Sequence, residues 1–407
     1  MRRVVITGMG TVNPLGNSVA EFRDAMFAGK NGIGIITKFD VSESRYKVAG
    51  EVKNFDAAAV LGKVTVRKTD PFTQYALAAA KEALEQSGIV GTIESDRLGV
   101  CFGSGIGGME TLCTDHQNLL EKGPRKVSPH FVPKMIYNIA AGNLAIEYKA
   151  NGPCIAVSTA CATGTTAVGE SYRTILHGYA DAMIAGGSEA AINPLTVAGF
   201  GNCQALSDNP DPESACKPFD KNRNGFIMAE GAGVLVLEEY EHAKARGANI
   251  LAEIVGYGST CDAHHVTAPD PEAKYVAKAI SDAVPDKSID PSKIYVNAHG
   301  TSTPLNDKTE TTALKAAFGE DAKKLHISST KSMTGHMLGA TGAVECIACI
   351  LALQSNTVPP TIHYSEPDPE LDLDYTPNKA VQTELDLAIC SNLGFGGHNA
   401  AVAFRKV

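Results

Sequence analysis

The strongest constraint on the fold of this chain is a pattern of buried strands and glycine-rich turns that occurs twice. Residues 98–102 form a short apolar run that ends in the glycine-rich turn 103–108. Residues 294–298 form a second such run and lead into a turn at 299–303. Short apolar runs that alternate with helical periodicity predict an α/β fold.

The repeat divides the chain into two similar halves. The apolar run at 182–185 and the one at 388–390 are each followed shortly by a glycine pair, as expected if the second half copies the first. We therefore predict a duplicated α/β fold whose halves, residues 1–249 and residues 250–407, share a site between them.

Composition excludes several classes of function. Of 407 residues 44% are hydrophobic, which is enough to bury a large core. The 36 basic and 45 acidic residues give a net charge of −9, which argues against nucleic-acid binding. Ten irregularly spaced cysteines are typical of a reducing cytoplasm. The apolar segment 343–353 carries Glu345 and is too short to cross a bilayer, so we expect a cytoplasmic protein without membrane contact.

Cys161 lies where a predicted buried strand, starting at Ile155, gives way to a predicted helix. A thiol at a helix N-terminus meets unpaired N–H groups and a partial positive charge, which favour the thiolate. A thiolate in a turn of small residues is a ready nucleophile. Position alone leaves open the alternative of a buried, inert cysteine.

Two histidines and a phenylalanine occupy turns at predicted strand ends in the second half. His299 precedes Gly300, His336 follows Gly335, and Phe395 lies among three glycines. Ligand sites in open α/β sheets gather at the carboxyl ends of strands. We therefore interpret both histidines as site residues rather than as structural ones.

Two motifs suggest other functions, and both are weak. The turn 103–108 fits the dinucleotide spacing G-x-G-x-x-G, but no acidic residue ends a second strand about twenty residues later. Cys346 and Cys349 form a C-x-x-C in the middle of a helix, where packing is the better interpretation. No cysteine and histidine cluster has zinc spacing, and we predict no metal.

The segment Ser158-Thr159-Ala160-Cys161-Ala162-Thr163-Gly164, together with both histidine turns, Lys331 and the Gly-Phe-Gly-Gly loop, closely resembles β-ketoacyl-acyl-carrier-protein synthases. The elongating, type II branch is the most similar, and the resemblance runs from Val4 to about Val402. It implies the thiolase-like fold, with two duplicated halves forming five αβαβα layers with mixed sheets. It also implies a homodimer.

The resemblance implies a decarboxylating condensation in fatty acid chain elongation. Cys161 would take the acyl chain as a thioester, and His299 and His336 would stabilise the charge that develops when the malonyl group loses carbon dioxide. The backbone N–H groups of Cys161 and Phe395 match the family's hole for the acyl oxyanion. Lys331 and Glu345 match a lysine and its buried acid partner.

Further residues match the family's binding positions. Thr301 and Thr303 resemble the pair that binds the phosphopantetheine amide, and Asp307 and Glu310 match acids that brace the His299 loop. Ile106 matches the bottom of the acyl pocket, although ordinary core packing stays open for it.

Phe395 resembles a gate to that pocket, and the adjacent Gly394 and Gly396 would permit its motion and contact substrate. Leu393 departs from the branch, which usually has an aromatic residue there, and this leaves the chain-length preference open.

The implied partner is acyl carrier protein, which is strongly acidic and brings its own phosphopantetheine, so no resident cofactor is expected. Five cations on segments around the family's entrance are candidates for its docking site, with solvated surface charge as the alternative: Lys63, Arg67, Lys68, Arg125 and Lys126. The acidic loop 205–214 counts against a strong basic patch.

The alternatives within the superfamily differ at single positions. The initiating synthases carry Asn where this chain has His336, and thiolases carry a second cysteine where it has Phe395. Chain-length partner subunits lack the nucleophile, whereas Cys161 is present. A ketosynthase of a polyketide or other secondary pathway uses the same residues and stays open.

Overall fold

The structure is a computed structural model, and it describes residues 2–407. Strands and helices alternate along this range. The strands are β1 (Val4–Val12), β2 (Gly34–Ile35), β3 (Val48–Ala49), β4 (Leu98–Gly103), β5 (Cys154–Ile155), β6 (Ala182–Glu189), β7 (Gly231–Glu239), β8 (Ala252–Cys261), β9 (Ile294–Asn297), β10 (His326–Ser328), β11 (Thr357–Val358), β12 (Val381–Gln382), β13 (Leu387–Gly394) and β14 (His398–Arg405).

The helices between them range from one turn to more than four turns. They are α1 (Val19–Phe27), α2 (Ala57–Leu61), α3 (Lys63–Lys68), α4 (Pro71–Ser87), α5 (Met109–Lys122), α6 (Phe131–Met135), α7 (Ile139–Tyr148), α8 (Thr163–Leu176), α9 (Pro194–Asn202), α10 (Tyr240–Ala245), α11 (Lys274–Ala283), α12 (Pro304–Phe318), α13 (Lys331–Thr334) and α14 (Thr341–Ser355).

The main sheet has the same strand order in both halves of the chain. Across the sheet the order is β10-β9-β13-β14-β8-β1-β7-β6-β4-β5. From the centre outward, the first half reads β1, β7, β6, β4 and β5, and the second half reads β8, β14, β13, β9 and β10. In chain order within each half, both series are the first, fifth, fourth, second and third strand. The two halves meet where β1 pairs antiparallel with β8, with Val4 opposite Ile254 and Ile6 opposite Ala252.

Helices cover the outer faces of both halves of the sheet, and two further helices lie between the halves. Helix α8 and helix α14 contact each other and strands of both halves, so they form a central layer. Outside it, α4 and α7 cover the first half, while α11 and α12 cover the second. The predicted thiolase-like architecture of five αβαβα layers with mixed parallel and antiparallel pairing is therefore confirmed.

The two central helices approach each other closely at glycines. A Cβ atom at Gly164 would lie 2.4 Å from the backbone nitrogen of Ala343, and one at Gly342 would lie 2.5 Å from that of Thr165. No side chain fits at either position, so these glycines set the spacing of the layer that carries the candidate nucleophile.

Several elements have the bounds that their residue patterns predict. Helix α11 coincides with the regular apolar face of residues 274–283, and α4 ends at Gly88 in a left-handed conformation (φ 62°). Strand β6 continues through its glycines to Glu189 rather than ending before them.

The buried strand predicted before Cys161 is wrong. Only Cys154–Ile155 pairs, and Ile155 is 45% exposed, because β5 is the edge strand and the chain then leaves the sheet.

One helical stretch, Leu338–Ser355, has the length and apolar character of a membrane span, and 89% of it is buried inside the fold. The expectation that this segment is too short is therefore wrong, since the turn Leu338–Ala340 extends α14. A core helix packed between sheets meets the same criteria, so the stretch is weak support for a membrane span.

Candidate active site

Cys161 lies in a short 3₁₀ turn, Ala160–Ala162, directly before helix α8. Thr163 fixes the turn, because its hydroxyl accepts the N–H of Thr159 at 2.8 Å and donates to the carbonyl of Ala160 at 2.7 Å. The cysteine therefore projects from a rigid helix start, as its position in the sequence predicts.

The electrostatic environment of the Cys161 thiol differs from the sequence prediction. Burial raises its pKa to about 11, and this outweighs the Lys331 ammonium and the N–H groups of Phe395 and Cys161, which lower it. The carboxylate of Glu189 adds to the rise. The N–H groups at the helix start therefore favour the thiolate as expected, but burial outweighs them, so the pKa of the thiol is raised rather than lowered.

A cavity of about 270 Å³ lies against this turn, and both halves of the chain line it. It therefore brings together side chains that are far apart in sequence. The predicted site residues among those that line it are Cys161, His299, Thr301, Thr303, His336, Gly394 and Phe395.

The two imidazoles face each other edge to face in this cavity. The ring centroids of His299 and His336 are 5.4 Å apart and the ring planes cross at 86°. Burial lowers both pKa values well below the usual range, and the Lys331 ammonium adds to this. Both rings are therefore neutral at physiological pH and can donate a hydrogen bond through one nitrogen.

A buried chain of hydrogen bonds fixes the orientation of His299. The Lys331 ammonium donates to Glu345 Oε1 at 2.6 Å, and Asn392 Nδ2 donates to Glu345 Oε2 at 2.7 Å. The hydroxyl of Thr165 donates to Asn392 Oδ1, so the amide nitrogen also faces His299 Nδ1, at 3.2 Å. His299 Nδ1 then accepts, which leaves the proton on Nε2.

The orientation of His336 is fixed in a similar way, by a hydroxyl group next to its Nδ1 atom. Its Nδ1 lies 3.0 Å from Thr341 Oγ1, and its Nε2 is buried without a hydrogen-bond partner. When the threonine donates to Nδ1, the proton is on Nε2. An unpartnered buried N–H is costly unless a ligand accepts it, so the cavity favours an oxygen acceptor there.

Lys331 and Glu345 lie behind the cavity rather than in its lining. Each side chain is only 1% exposed, and burial raises the pKa of Glu345 while the ammonium opposes this. Asn392, which connects the pair to His299, was missed by the sequence reasoning. Its one signal is its place two residues before the Gly-Phe-Gly-Gly loop.

The loop that carries His299 is held by an acid on α12. Glu310 accepts the N–H of His299 at 2.6 Å and that of Gly300 at 2.8 Å. Asp307 instead accepts the N–H of Phe219 at 2.8 Å, and the N–H of Thr301 is a weaker contact that lowers its pKa.

Two threonines line the cavity side by side. The hydroxyls of Thr301 and Thr303 are 2.9 Å apart and both residues line the cavity. The cavity lining therefore offers two neighbouring hydroxyl groups to a polar ligand.

Phe395 stands between the cavity and an apolar cluster. Its ring lies 6.4 Å from that of Phe200, which packs with Ile106 and Cys161 in this cluster. Gly394 is required because a Cβ atom there would lie 2.4 Å from the carbonyl of Thr159.

Ile106 is outside the cavity lining, and it packs against the same apolar cluster as Cys161. The turn 103–108 does not form an empty phosphate site, because its N–H groups bind a carboxylate of the chain itself, Glu189. This is the physical reason why the dinucleotide motif is misleading here.

The five candidate docking cations lie outside the cavity lining. All five are exposed, and among residues 2–407 none of them forms an ion pair with a carboxylate: Lys63, Arg67 and Lys68 on α3, and Arg125 and Lys126 in the turn after α5.

A cysteine thiol that shares a cavity with two neutral imidazoles, within a duplicated αβαβα fold, defines a condensing enzyme of the thiolase-like class. The chain belongs to the β-ketoacyl synthase family. The model of the family's N-terminal domain matches residues 1–243 and that of its C-terminal domain matches residues 251–365. The resemblance inferred from the sequence is thereby confirmed.

Curated relatives match along the full chain. The 3-oxoacyl-[acyl-carrier-protein] synthase 2 of Staphylococcus aureus (strain COL) is 50% identical over 407 residues, covering 100% of this chain and 98% of the relative. The protein of the same name from Synechocystis sp. is 47% identical over 408 residues, again covering 100% and 98%.

Solved structures agree with this assignment. A β-ketoacyl synthase from Burkholderia phymatum STM815 superposes with a TM-score of 0.92 at 37% identity and covers 100% of both chains. A ketosynthase solved with its type II polyketide acyl-carrier protein and a hexaketide superposes with a TM-score of 0.90 at 34% identity, covering 100% of this chain and 99% of that one.

Proposed function

We propose that this protein condenses an acyl thioester with malonyl-acyl carrier protein, releasing carbon dioxide and forming 3-oxoacyl-acyl carrier protein in fatty acid chain elongation. The observation that carries the proposal is the single cavity shared by the Cys161 thiol and two neutral imidazoles. The elongating synthases that match along the full chain support it.

In the first step the sulfur of Cys161 attacks the acyl carbonyl. The new carbon–sulfur bond forms as the bond to the carrier's thiol breaks, and that thiol leaves with the proton from the cysteine. The N–H groups of Cys161 and Phe395 both lie near the sulfur, where they can receive the oxyanion. The nearby Lys331 ammonium favours loss of the thiol proton.

In the second step the bond between the malonyl α-carbon and its carboxylate breaks. Carbon dioxide leaves, and the electron pair of the broken bond stays on the remaining fragment, which becomes an enolate. The enolate oxygen accepts hydrogen bonds from the N–H groups of His299 and His336. The α-carbon then attacks the acyl carbonyl, the bond to Cys161 breaks, and the released thiolate takes up a proton from solvent. Neutral imidazoles suit this step, because each is a donor that needs no proton transfer first.

The carrier-protein substrate accounts for several further residues. Thr301 and Thr303 would hydrogen-bond the phosphopantetheine amide. Glu310 braces the loop that holds them through the N–H of His299, and Asp307 adds only a weaker contact with the N–H of Thr301. The five exposed cations Lys63, Arg67, Lys68, Arg125 and Lys126 provide unpaired positive charge for an acidic carrier protein on a chain of net charge −9.

The apolar cluster behind Cys161 is the proposed place of the acyl chain. It includes Ile106 and adjoins Phe395, which acts as the gate between the cavity and the cluster. Gly394 and Gly396 flank that residue, and Gly396 has a φ of 89°, a conformation that favours glycine. A phenylalanine held between glycines can swing aside when the chain enters.

We expect the protein to form a homodimer and to work in the cytoplasm. We also expect each chain to consist of two domains, residues 1–249 and residues 250–407. The edge strand Cys154–Ile155 is exposed, and Ile146 on the adjacent α7 is 79% exposed. An unpaired apolar edge is a hazard that pairing with a second copy removes. The division falls in the link between α10 and β8.

A second candidate is a ketosynthase of a polyketide pathway. The complex of a ketosynthase with its type II polyketide carrier protein superposes over the whole chain and supports this candidate. The two candidates differ in substrate rather than in chemistry, so a series of acyl-carrier-protein primers of increasing length with malonyl extender separates them.

The test of the reaction is Cys161→Ala, with Cys113→Ala as the control, since Cys113 is half-buried outside the cavity. We expect the first variant to lose condensation and the control to keep it. Turnover of Cys161→Ala within about tenfold of the wild type would contradict the assignment of the nucleophile.

A further inference from the structure

A buried carboxylate beside the active-site cavity has no part in the chemistry described above. Glu189, at the end of β6, is 0% exposed. The groups that oppose the effect of burial on its pKa are hydroxyl and N–H donors rather than a cation. A buried carboxylate without a counter-ion is costly, so its hydrogen bonds must supply the compensation.

Four donors bind this carboxylate, two on each oxygen. Oε1 accepts the hydroxyl of Ser104 at 2.8 Å and the N–H of Ile106 at 3.2 Å. Oε2 accepts the N–H of Gly105 at 2.8 Å and the N–H of Gly339 at 3.0 Å. Three donors come from the first half of the chain and one from the second, so the carboxylate ties the halves together.

Two of these donors are glycines for a steric reason. A Cβ atom at Gly105 would lie 2.8 Å from Glu189 Oε2, and one at Gly339 would lie 2.9 Å from the same oxygen. The backbone on both sides is thus shaped to admit the carboxylate.

The segments that Glu189 joins both lead to the reacting groups. Ile106 and Leu338 pack with Cys161 in one apolar cluster. Leu338 directly precedes Gly339, and His336 lies three residues before that glycine, on the segment that leads into the turn Leu338–Ala340.

We propose that Glu189 is a positioning residue for the condensation: its carboxylate fixes the acyl-pocket residue Ile106 on one side and the turn that follows His336 on the other. The pocket and the imidazole then keep their places relative to Cys161. This inference rests on the proposed function. It adds that Glu189, by holding Ile106, favours acyl chains that are long enough to fill the pocket.

The position of Glu189 also gives a readout that does not depend on condensation. The titratable groups that line the same cavity as the Cys161 thiol are His299, His336, Asp262 and Cys203, and the charged groups that act on its pKa are Lys331 and Glu189. Among them the Glu189 carboxylate raises the pKa of the thiol, whereas the Lys331 ammonium lowers it. Neutralising Glu189 must therefore make the thiol more acidic.

The experiment compares Glu189→Gln with Glu82→Gln. Glu82 is a matched control, because its carboxylate accepts the N–H groups of Thr11 at 3.0 Å and Val19 at 2.8 Å, outside the site. In Glu189→Gln we expect Cys161 to be alkylated by iodoacetamide at least about threefold faster at pH 8, a shift of roughly half a pKa unit. Condensation with long primers should fall more than with short ones, and the control should match the wild type in both assays.

A third variant, Glu189→Asp, keeps the charge but withdraws the carboxylate by one CH₂ group. It should restore the wild-type alkylation profile and still lose long primers, a split that a general loss of stability does not produce. It also remains a test if Glu189→Gln does not fold.

Unchanged chain-length profiles in both Glu189 variants, or an unchanged alkylation rate in folded Glu189→Gln, would overturn the inference. If the wild type fails to condense, the proposed function fails and the role of Glu189 in condensation fails with it, whereas the alkylation shift still tests the effect of Glu189 on the Cys161 thiol.

Discussion

The buried pair of Lys331 and Glu345 leads to a quantitative prediction about stability. Their charged atoms are 2.6 Å apart and each side chain is 1% exposed, so neither charge has water to replace its partner. Replacing one member, in Glu345→Gln, leaves an ammonium group buried without compensation. Breaking a buried pair in this way costs about 3–5 kcal/mol of the free energy of unfolding.

The matched control is an exposed pair at the surface. Lys278 and Asp282 form an ion pair at 2.8 Å with side chains 59% and 43% exposed, and Asp282→Asn should cost less than about 1 kcal/mol. Because the chain contains no tryptophan, urea unfolding is followed by far-UV circular dichroism.

A double variant separates the cost of leaving the Lys331 charge unpaired from the cost of losing the hydrogen bond between Lys331 and Glu345. Lys331→Met combined with Glu345→Gln removes both charges, so it should be more stable than Glu345→Gln alone by at least about 1 kcal/mol. Its condensation activity should stay low, since the hydrogen bonds that orient Asn392 and His299 are altered in both variants. A loss below about 1 kcal/mol in Glu345→Gln, or a double variant no more stable than it, would refute the reasoning.

Three further predictions concern the reacting groups. His336→Ala should block malonyl decarboxylation more than acylation of Cys161, which mass spectrometry of the trapped acyl-enzyme can separate; a variant that is not acylated would contradict this role. Leu393→Phe should change the chain-length profile, because Leu393 lines the cavity beside the gate residue, and an identical profile would exclude it as a determinant. Alkylation of Cys161 should rise about tenfold per pH unit from pH 7 to pH 10, because burial raises its pKa to about 11 and the reactive thiolate is the minor form over this range. A plateau below pH 9 would show that the sulfur is better solvated than the structure indicates.

Features that repeat along the chain could be predicted from the sequence. Features that depend on how deeply a residue is buried in the fold could not. The bounds of α11 follow from a regular apolar face, and the paired strand order follows from the duplicated pattern. The pKa of Cys161 depends on how deeply the turn is buried, and the residues around it do not encode this locally.

Two other misses have a similar origin. The run before Cys161 has the composition of a buried strand, but β5 lies at the sheet edge, a property of the topology rather than of the residues. Asn392 stands on a strand where side chains alternate between faces, and only the packed structure shows that it faces Glu345 and His299.

The antiparallel pairing of β1 with β8 limits how substrate can reach the site. This pairing joins the halves into one hydrogen-bonded sheet, and α8 and α14 each contact strands of both halves, so within residues 2–407 a rotation of the halves apart would break both the pairing and the packing. Entry of an acyl chain must then depend on local rearrangement of loops such as the one around Phe395. Turnover with long substrates is accordingly governed by side-chain and loop motions over a rigid frame.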